Sequence, residues 1–278
     1  MQFSPIRSLF TAAALLCATL GTWIATPAQA QGDLLVAPTR VILDGRRGTE
    51  VILSNIGSEE ATYRISLELR RMTEDGSLVD VADETITAKE TAALEMIRYA
   101  PRRITLPPGQ PQAVRISARP GADLPDGEYR AHMLFRAIPK PRPVTEQPAN
   151  PTGVSINLIP IYGITIPIII RHGRMDVQAA IEQPAIVAGQ RGPELRVAIS
   201  RSGSSSTYGT LRVVKPGASV PVYEAQGLAI YPEIGRRTVA LPLTPEQAAL
   251  LRGQLRFEYR EMPEAGGGLI AAVDTVLG

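Results

Sequence analysis

The sequence predicts an all-β protein made of two β-sandwich domains, and three observations carry that prediction. Short runs rich in β-branched and aromatic residues recur along most of the 278 residues. Turn residues, above all Asp-Gly pairs, separate those runs. Stretches with helical composition are scarce.

The first runs set the pattern. Val41-Ile42-Leu43 stops at Asp44-Gly45, and Glu50-Val51-Ile52-Leu53-Ser54 stops at Asn55-Ile56-Gly57. Tyr63 to Leu69 alternates with period two, so that Tyr63, Ile65, Leu67 and Leu69 share a face, and it ends near Glu74-Asp75-Gly76. Such alternation marks half-buried antiparallel strands. Ala113–Ser117, Tyr129–Phe135, Leu195–Ile199, Thr210–Val214, Thr238–Leu241 and Leu255–Tyr259 behave alike. Thr85 to Glu95 has helical composition between strands and is expected to form an irregular or short helical connection. Thr244 followed by Pro245 is a good helix start, which predicts one turn of helix before the strand at Leu255. Many short strands at intervals of about 8 to 12 residues point to immunoglobulin-like sandwiches.

The chain opens with Arg7, an apolar run from Leu9 to about Ile24, and Ala28-Gln29-Ala30. A basic start, an apolar centre and an A-x-A site read as a cleaved secretory signal peptide, residues 1–30. The run is shorter than the roughly 20 apolar residues a bilayer span needs, and no later segment reaches that length, so no membrane span is expected after cleavage. Cleavage removes Cys17, the single cysteine, and with it disulfide and thiol chemistry. Removing Arg7 and no acid leaves 28 basic and 27 acidic side chains. There is no basic run with interleaved aromatics, so nucleic acid is not an expected partner. An N-terminal domain is expected over 31–170 and a C-terminal domain over 171–278, joined tightly at Arg171-His172-Gly173-Arg174. Pro139 to Gly153 carries five prolines and reads as a long loop within the first domain.

No active site is expected. The two histidines, His132 and His172, stand apart in sequence; no His-x-x-x-His or G-x-S-x-G is present, and no metal or cofactor is implied. Ser204-Ser205-Ser206 reads as a hairpin loop.

After the proline-rich loop the chain is uncharged from Val154 to Ile170. Val154, Ile156 and Leu158 share one face; Pro160 and Pro167 lack a backbone donor and place the segment at an edge or bulge. Two readings stand side by side. One is a strand buried on both faces. The other is an edge strand lent to a partner by strand addition, since uncharged edges invite pairing.

Several segments, taken in order, resemble the periplasmic chaperones of the pilus chaperone–usher pathway, the PapD-like family. They are Ala37-Pro38-Thr39-Arg40-Val41-Ile42-Leu43, Val51–Asn55, Pro107-Pro108-Gly109-Gln110-Pro111-Gln112-Ala113-Val114-Arg115-Ile116, Glu128-Tyr129-Arg130 leading to Arg136-Ala137-Ile138-Pro139, and Ile166-Pro167-Ile168-Ile169-Ile170-Arg171. The resemblance implies two immunoglobulin-like domains in a boomerang arrangement. It implies pilus or surface-fibre subunits lacking a strand as partners, along with an outer-membrane usher, and a periplasmic location. It also implies that Val154, Ile156 and Leu158 lie on the donated strand, and that Arg40 anchors the subunit's C-terminal carboxylate. Glu128, Arg171 and Glu264 would form an interdomain ion cluster. Pro167 stands where the family carries a lysine, so the second cation of the anchor is missing at that position. The alternative class is a secreted immunoglobulin-like component of a surface fibre, which would associate with itself through the same edge.

Overall fold

The computed structural model describes residues 34–140 and 161–278. The expected signal peptide, most of the expected proline-rich loop, and Val154, Ile156 and Leu158, expected on a donated strand, lie outside the described residues.

The first part of the chain runs β1 (Leu34–Ala37), β2 (Val41–Leu43), β3 (Thr49–Asn55), β4 (Ala61–Glu68), β5 (Arg70–Met72), β6 (Leu78–Asp80), α1 (Ala88–Met96), β7 (Ile97–Ala100), β8 (Arg103–Leu106), β9 (Gln112–Ala118), β10 (Gly127–Ile138) and β11 (Gly163–His172). These form a sheet of order β1-β3-β9-β7 packed on one of order β2-β11-β10-β4-β8, with β5 and β6 as a separate hairpin. Period-two patterning decides which faces meet. Val51, Leu53, Val114 and Ile116 from one sheet interdigitate with Tyr63, Ile65, Met133 and Phe135 from the other. The segment before β3 changes sheets: β1 pairs with β3, and β2 pairs in parallel with β11.

The second part runs β12 (Val177–Gly189), β13 (Gly192–Gly203), β14 (Thr207–Val214), β15 (Tyr223–Ile230), β16 (Arg236–Pro242), α2 (Pro245–Leu250), β17 (Gly253–Glu261) and β18 (Leu269–Leu277). The sheets are β12-β13-β16 and β15-β14-β17-β18, closed over a core that includes Val197, Ile199, Leu211, Val213, Phe257 and Tyr259. Both are two-sheet sandwiches of the immunoglobulin kind, antiparallel apart from the β2–β11 pairing of the first. The fold class is therefore the expected one: all-β, with two sandwiches.

The connection between β4 and β7 is more ordered than its composition suggested. It holds the β5–β6 hairpin and a nine-residue helix, α1, whose Thr87 and Glu90 form a complete capping box. Ala93 and Met96 of α1 are buried in the first core. That burial, and not a continuous apolar stripe, fixes the helix in place. The helical turn after Thr244 forms as expected, also with a capping box.

The join between the sandwiches is short and held by side chains. Gly173 takes a left-handed φ of +69°, and a Cβ there would strike the carboxylate of Asp126. Asp126 in turn accepts from the Arg174 amide at 3.1 Å. Asp176 accepts from the Ser204 hydroxyl at 2.6 Å. Gly32–Gly278 makes one compact unit, and the small apolar cluster of Met72, Ile169, Ala229 and Tyr231 draws on both sandwiches.

Candidate functional site

Strand β10 has two unlike faces. Tyr129, Ala131, Met133 and Phe135 point into the first core. Glu128, Arg130, His132 and Leu134 therefore occupy the opposite face, where the second sandwich abuts. Glu128 and His132 are almost fully buried there.

The sheet register places four residues in a row across that face. His132 is directly opposite Pro167 on β11 and Glu68 on β4. The parallel pairing of Ile168 with Val41 brings the preceding residues, Pro167 and Arg40, level with each other. The row across neighbouring strands is thus Arg40, Pro167, His132, Glu68, with about 4.8 Å between adjacent strands.

Arg40 reaches into the second sandwich. Its guanidinium donates to the Tyr231 hydroxyl at 3.2 Å and to Ser206 Oγ at 3.1 Å. It also lies over the rings of Tyr208 and Tyr231, at 4.5 and 5.5 Å from their centroids. These contacts are aromatic and hydroxylic, so they orient the cation without neutralising it. Among the described residues no carboxylate is within ion-pair distance of Arg40.

Arg130, which the sequence did not single out, is matched. It sits 3.6 Å from the Tyr231 ring centroid and pairs with Glu233 of the second sandwich. Glu233 also accepts from the Met72 amide at 2.8 Å. Arg70 pairs with Glu68 at 2.7 Å, and Glu68 accepts from Thr165 Oγ1 at 3.0 Å across β10.

His132 differs from all of these. Neither ring nitrogen has a hydrogen-bond partner among the described residues. Burial, together with the nearby charges of Arg130, Arg70 and Arg40, pushes the imidazole down to about 3 from its ordinary 6.5.

The expected ion cluster is present in part. Glu128 Oε2 accepts from the Ser206 amide at 3.1 Å, from Ser206 Oγ at 2.8 Å and from Arg171 Nε at 3.4 Å. Glu264 does not join it. That residue is exposed, in the one-turn helix Pro263–Ala265 between β17 and β18, and makes no ion pair with Arg171. The hairpin serine Ser206 instead contributes the second-sandwich contact. The serine triplet had been set aside as an ordinary loop, and its role depends on a contact 78 residues away in sequence.

The other feature of the site is an edge. β11 pairs along its whole length with β10, but β2 covers only Ile168 to Ile170 on its other side. Gly163 to Pro167 has no strand on that side among the described residues. Even-numbered side chains there, Ile164 and Ile166, turn toward the first core. Over the outward face of β11, β10 and β4 lies a groove of about 680 Å³, whose walls include Leu134, Thr165, Glu68 and Leu94.

No protein-family model matches the chain, and no curated protein matches it in sequence. Solved structures with a similar fold include the YadV chaperone, at 12% identity over 88% of this chain and 100% of that one, with a TM-score of 0.48. The E. coli chaperone DraB aligns at 16% identity over 88% of this chain and 96% of its own, with a TM-score of 0.44. The Pseudomonas aeruginosa CupB2 chaperone aligns at 14% identity over 88% and 100%, with a TM-score of 0.43. At these identities and scores the likeness by itself assigns neither ligand nor partner to this chain.

Proposed function

We propose that the chain is a periplasmic chaperone for pilus or surface-fibre subunits, which it holds by lending them the edge of β11. The observation that carries this reading is the uncovered edge of Gly163–Pro167 lying next to an arginine without a carboxylate partner. Strand addition draws its affinity from backbone hydrogen bonds. A planar guanidinium beside the edge suits the carboxylate that ends a bound strand.

In this reading residues 1–30 direct export and are removed, 31–170 form the donating domain, and 171–278 form the second wall of the site. Val154, Ile156 and Leu158 extend the lent strand upstream of β11. Glu128, Arg171 and Ser206 hold the two sandwiches at a working angle, and an outer-membrane usher receives the loaded complex.

The test is co-expression of the exported chain with small secreted proteins encoded beside it. A one-to-one complex should co-elute from the periplasmic extract, and Arg40→Ala should abolish it. Unchanged co-elution of the variant would remove Arg40 from the anchor. Self-association of the purified chain through this edge, with no subunit captured, would favour a structural fibre component instead.

A further inference from the structure

We infer that His132 is the second half of the anion site begun by Arg40, and that it takes up a proton when a carboxylate binds. The inference rests on the chaperone reading of the site.

The argument begins with the row across the sheet. Pro167 lies between Arg40 on one side and His132 on the other, so its ring forms a low, uncharged floor between two nitrogen-bearing side chains. Two strand spacings separate the strands that carry them, roughly 10 Å in total. Side chains as long as arginine and histidine can converge on one small group held above that floor.

His132 also lacks something that buried polar groups nearly always have. It is 1% exposed, yet neither ring nitrogen has a partner among the described residues. Leaving a buried polar group unpaired is costly, and such groups call for an explanation. A ligand that accepts a hydrogen bond from the ring would supply one.

The surrounding charges indicate the sign of that ligand. From β4, Glu68 faces His132 but is engaged by Arg70 and Thr165. From β10 itself, Arg130 is matched by Glu233 of the second sandwich. From β11, Pro167 and Thr165 carry no charge. From the turn before β2, Arg40 is the cation left without an acid, held by Tyr231, Tyr208 and Ser206. On β10, Glu128 lies one hydroxyl away from Arg40, through Ser206 Oγ, but is engaged by Arg171. With these pairs counted, Arg40 is the surplus positive charge of the site among the described residues, which suits a monoanion such as a peptide carboxylate.

Burial and the three arginine neighbours keep the imidazole neutral. A carboxylate placed between Arg40 and His132 reverses part of that effect, because a nearby anion favours the charged ring. Binding then draws in a proton, and by linkage affinity rises as pH falls.

The test uses the mature chain labelled at its two histidines and a synthetic peptide of about twelve residues with alternating apolar side chains, made as free acid and as C-terminal amide. Binding of the acid should tighten about fivefold between roughly pH 7.5 and 5.5, and the NMR titration of His132 should move upward with the acid but not with the amide. His132→Asn, which keeps a hydrogen-bond donor but cannot become charged, should bind the acid with no such pH dependence. Acid binding that needs Arg40 yet leaves the His132 titration unmoved, or that keeps its pH dependence in His132→Asn, overturns this inference and leaves the chaperone reading intact. Equal binding of acid and amide, or no binding of either, defeats the anion site itself.

Discussion

Glu128 and His132 sit four residues apart on the same face of the same strand, and they are treated in opposite ways. Glu128 is buried with two donors from Ser206 and one from Arg171. His132 is equally buried with no hydrogen-bond partner. The difference shows where the face changes its role. At its Glu128 end β10 is a joint, where the second sandwich has been fitted to a charge. Around His132 the same face borders the uncovered edge of β11, and the imidazole has no partner among the described residues. At Glu128 all three donors meet Oε2 while Oε1 has none among the described residues, so the contrast is between a half-satisfied carboxylate and an imidazole with neither nitrogen paired.

Three changes would sharpen or break this contrast. The largest effect is expected from Glu128→Ala, which strands the Ser206 amide and leaves Arg171 unopposed. It should destabilise the chain by about 3 kcal/mol, since removing one partner of a buried charged network exposes the other to full desolvation. Urea unfolding would measure it, and a loss under about 1 kcal/mol would mean that the joint is not held there.

The second effect concerns pH. The folded state holds His132 at about 3, below its ordinary 6.5. Between those values the unfolded chain binds the proton and the folded chain does not, so stability is greatest above about 6.5 and falls as pH drops toward 3. The loss should reach at most about 1.4 kcal/mol per pH unit. Glu90, lowered to about 2 by its bonds to Arg71, adds its own loss only below its ordinary 4.5. Unfolding measured at about pH 7 and pH 5 therefore isolates the histidine. His132→Leu should flatten that slope while remaining near wild-type stability at neutral pH, because an unpartnered polar group is replaced by an apolar one. A slope unchanged by the substitution would show that the ring is solvated or partnered in solution.

The smallest effect is expected from Ser206→Ala. It removes one hydroxyl bond to Glu128 but keeps the amide bond, and should cost about 1 kcal/mol. Because Ser206 also receives Arg40, the variant should weaken carboxylate binding as well, which Glu128-only substitutions would not do directly.

Much of the fold was legible in sequence because the alternation of Tyr63–Leu67, Val114–Ile116 and Tyr129–Phe135 is a local property that survives into the core. The cap at Thr244 was legible for the same reason. The β5–β6 hairpin was not, since apart from the buried Met72 its residues are charged or exposed, and it gains its place by meeting the second sandwich: the Thr238 amide donates to the Glu74 carbonyl at 2.7 Å. Of the candidate site, Arg40, Glu128 and Arg171 were named from the sequence, and the structure brings them to one face. Glu264 was assigned by position near a glycine run, and the chain turns it to solvent. Arg130, Tyr231, Ser206 and His132 carried no local signal that separated them from ordinary strand and hairpin residues.

The sequence by itself determined the export-signal pattern, the strand periodicity, and the uncharged stretch that ends in β11, because each depends only on neighbours along the chain. The tertiary structure alone decided which charges are matched. Arg130 and Arg40 are indistinguishable as residues, but packing brings Glu233 to the first and only hydroxyls and aromatic rings to the second. The register that sets Pro167 between Arg40 and His132 was likewise decided only by the tertiary structure, since strands far apart in sequence fix what faces what across a sheet.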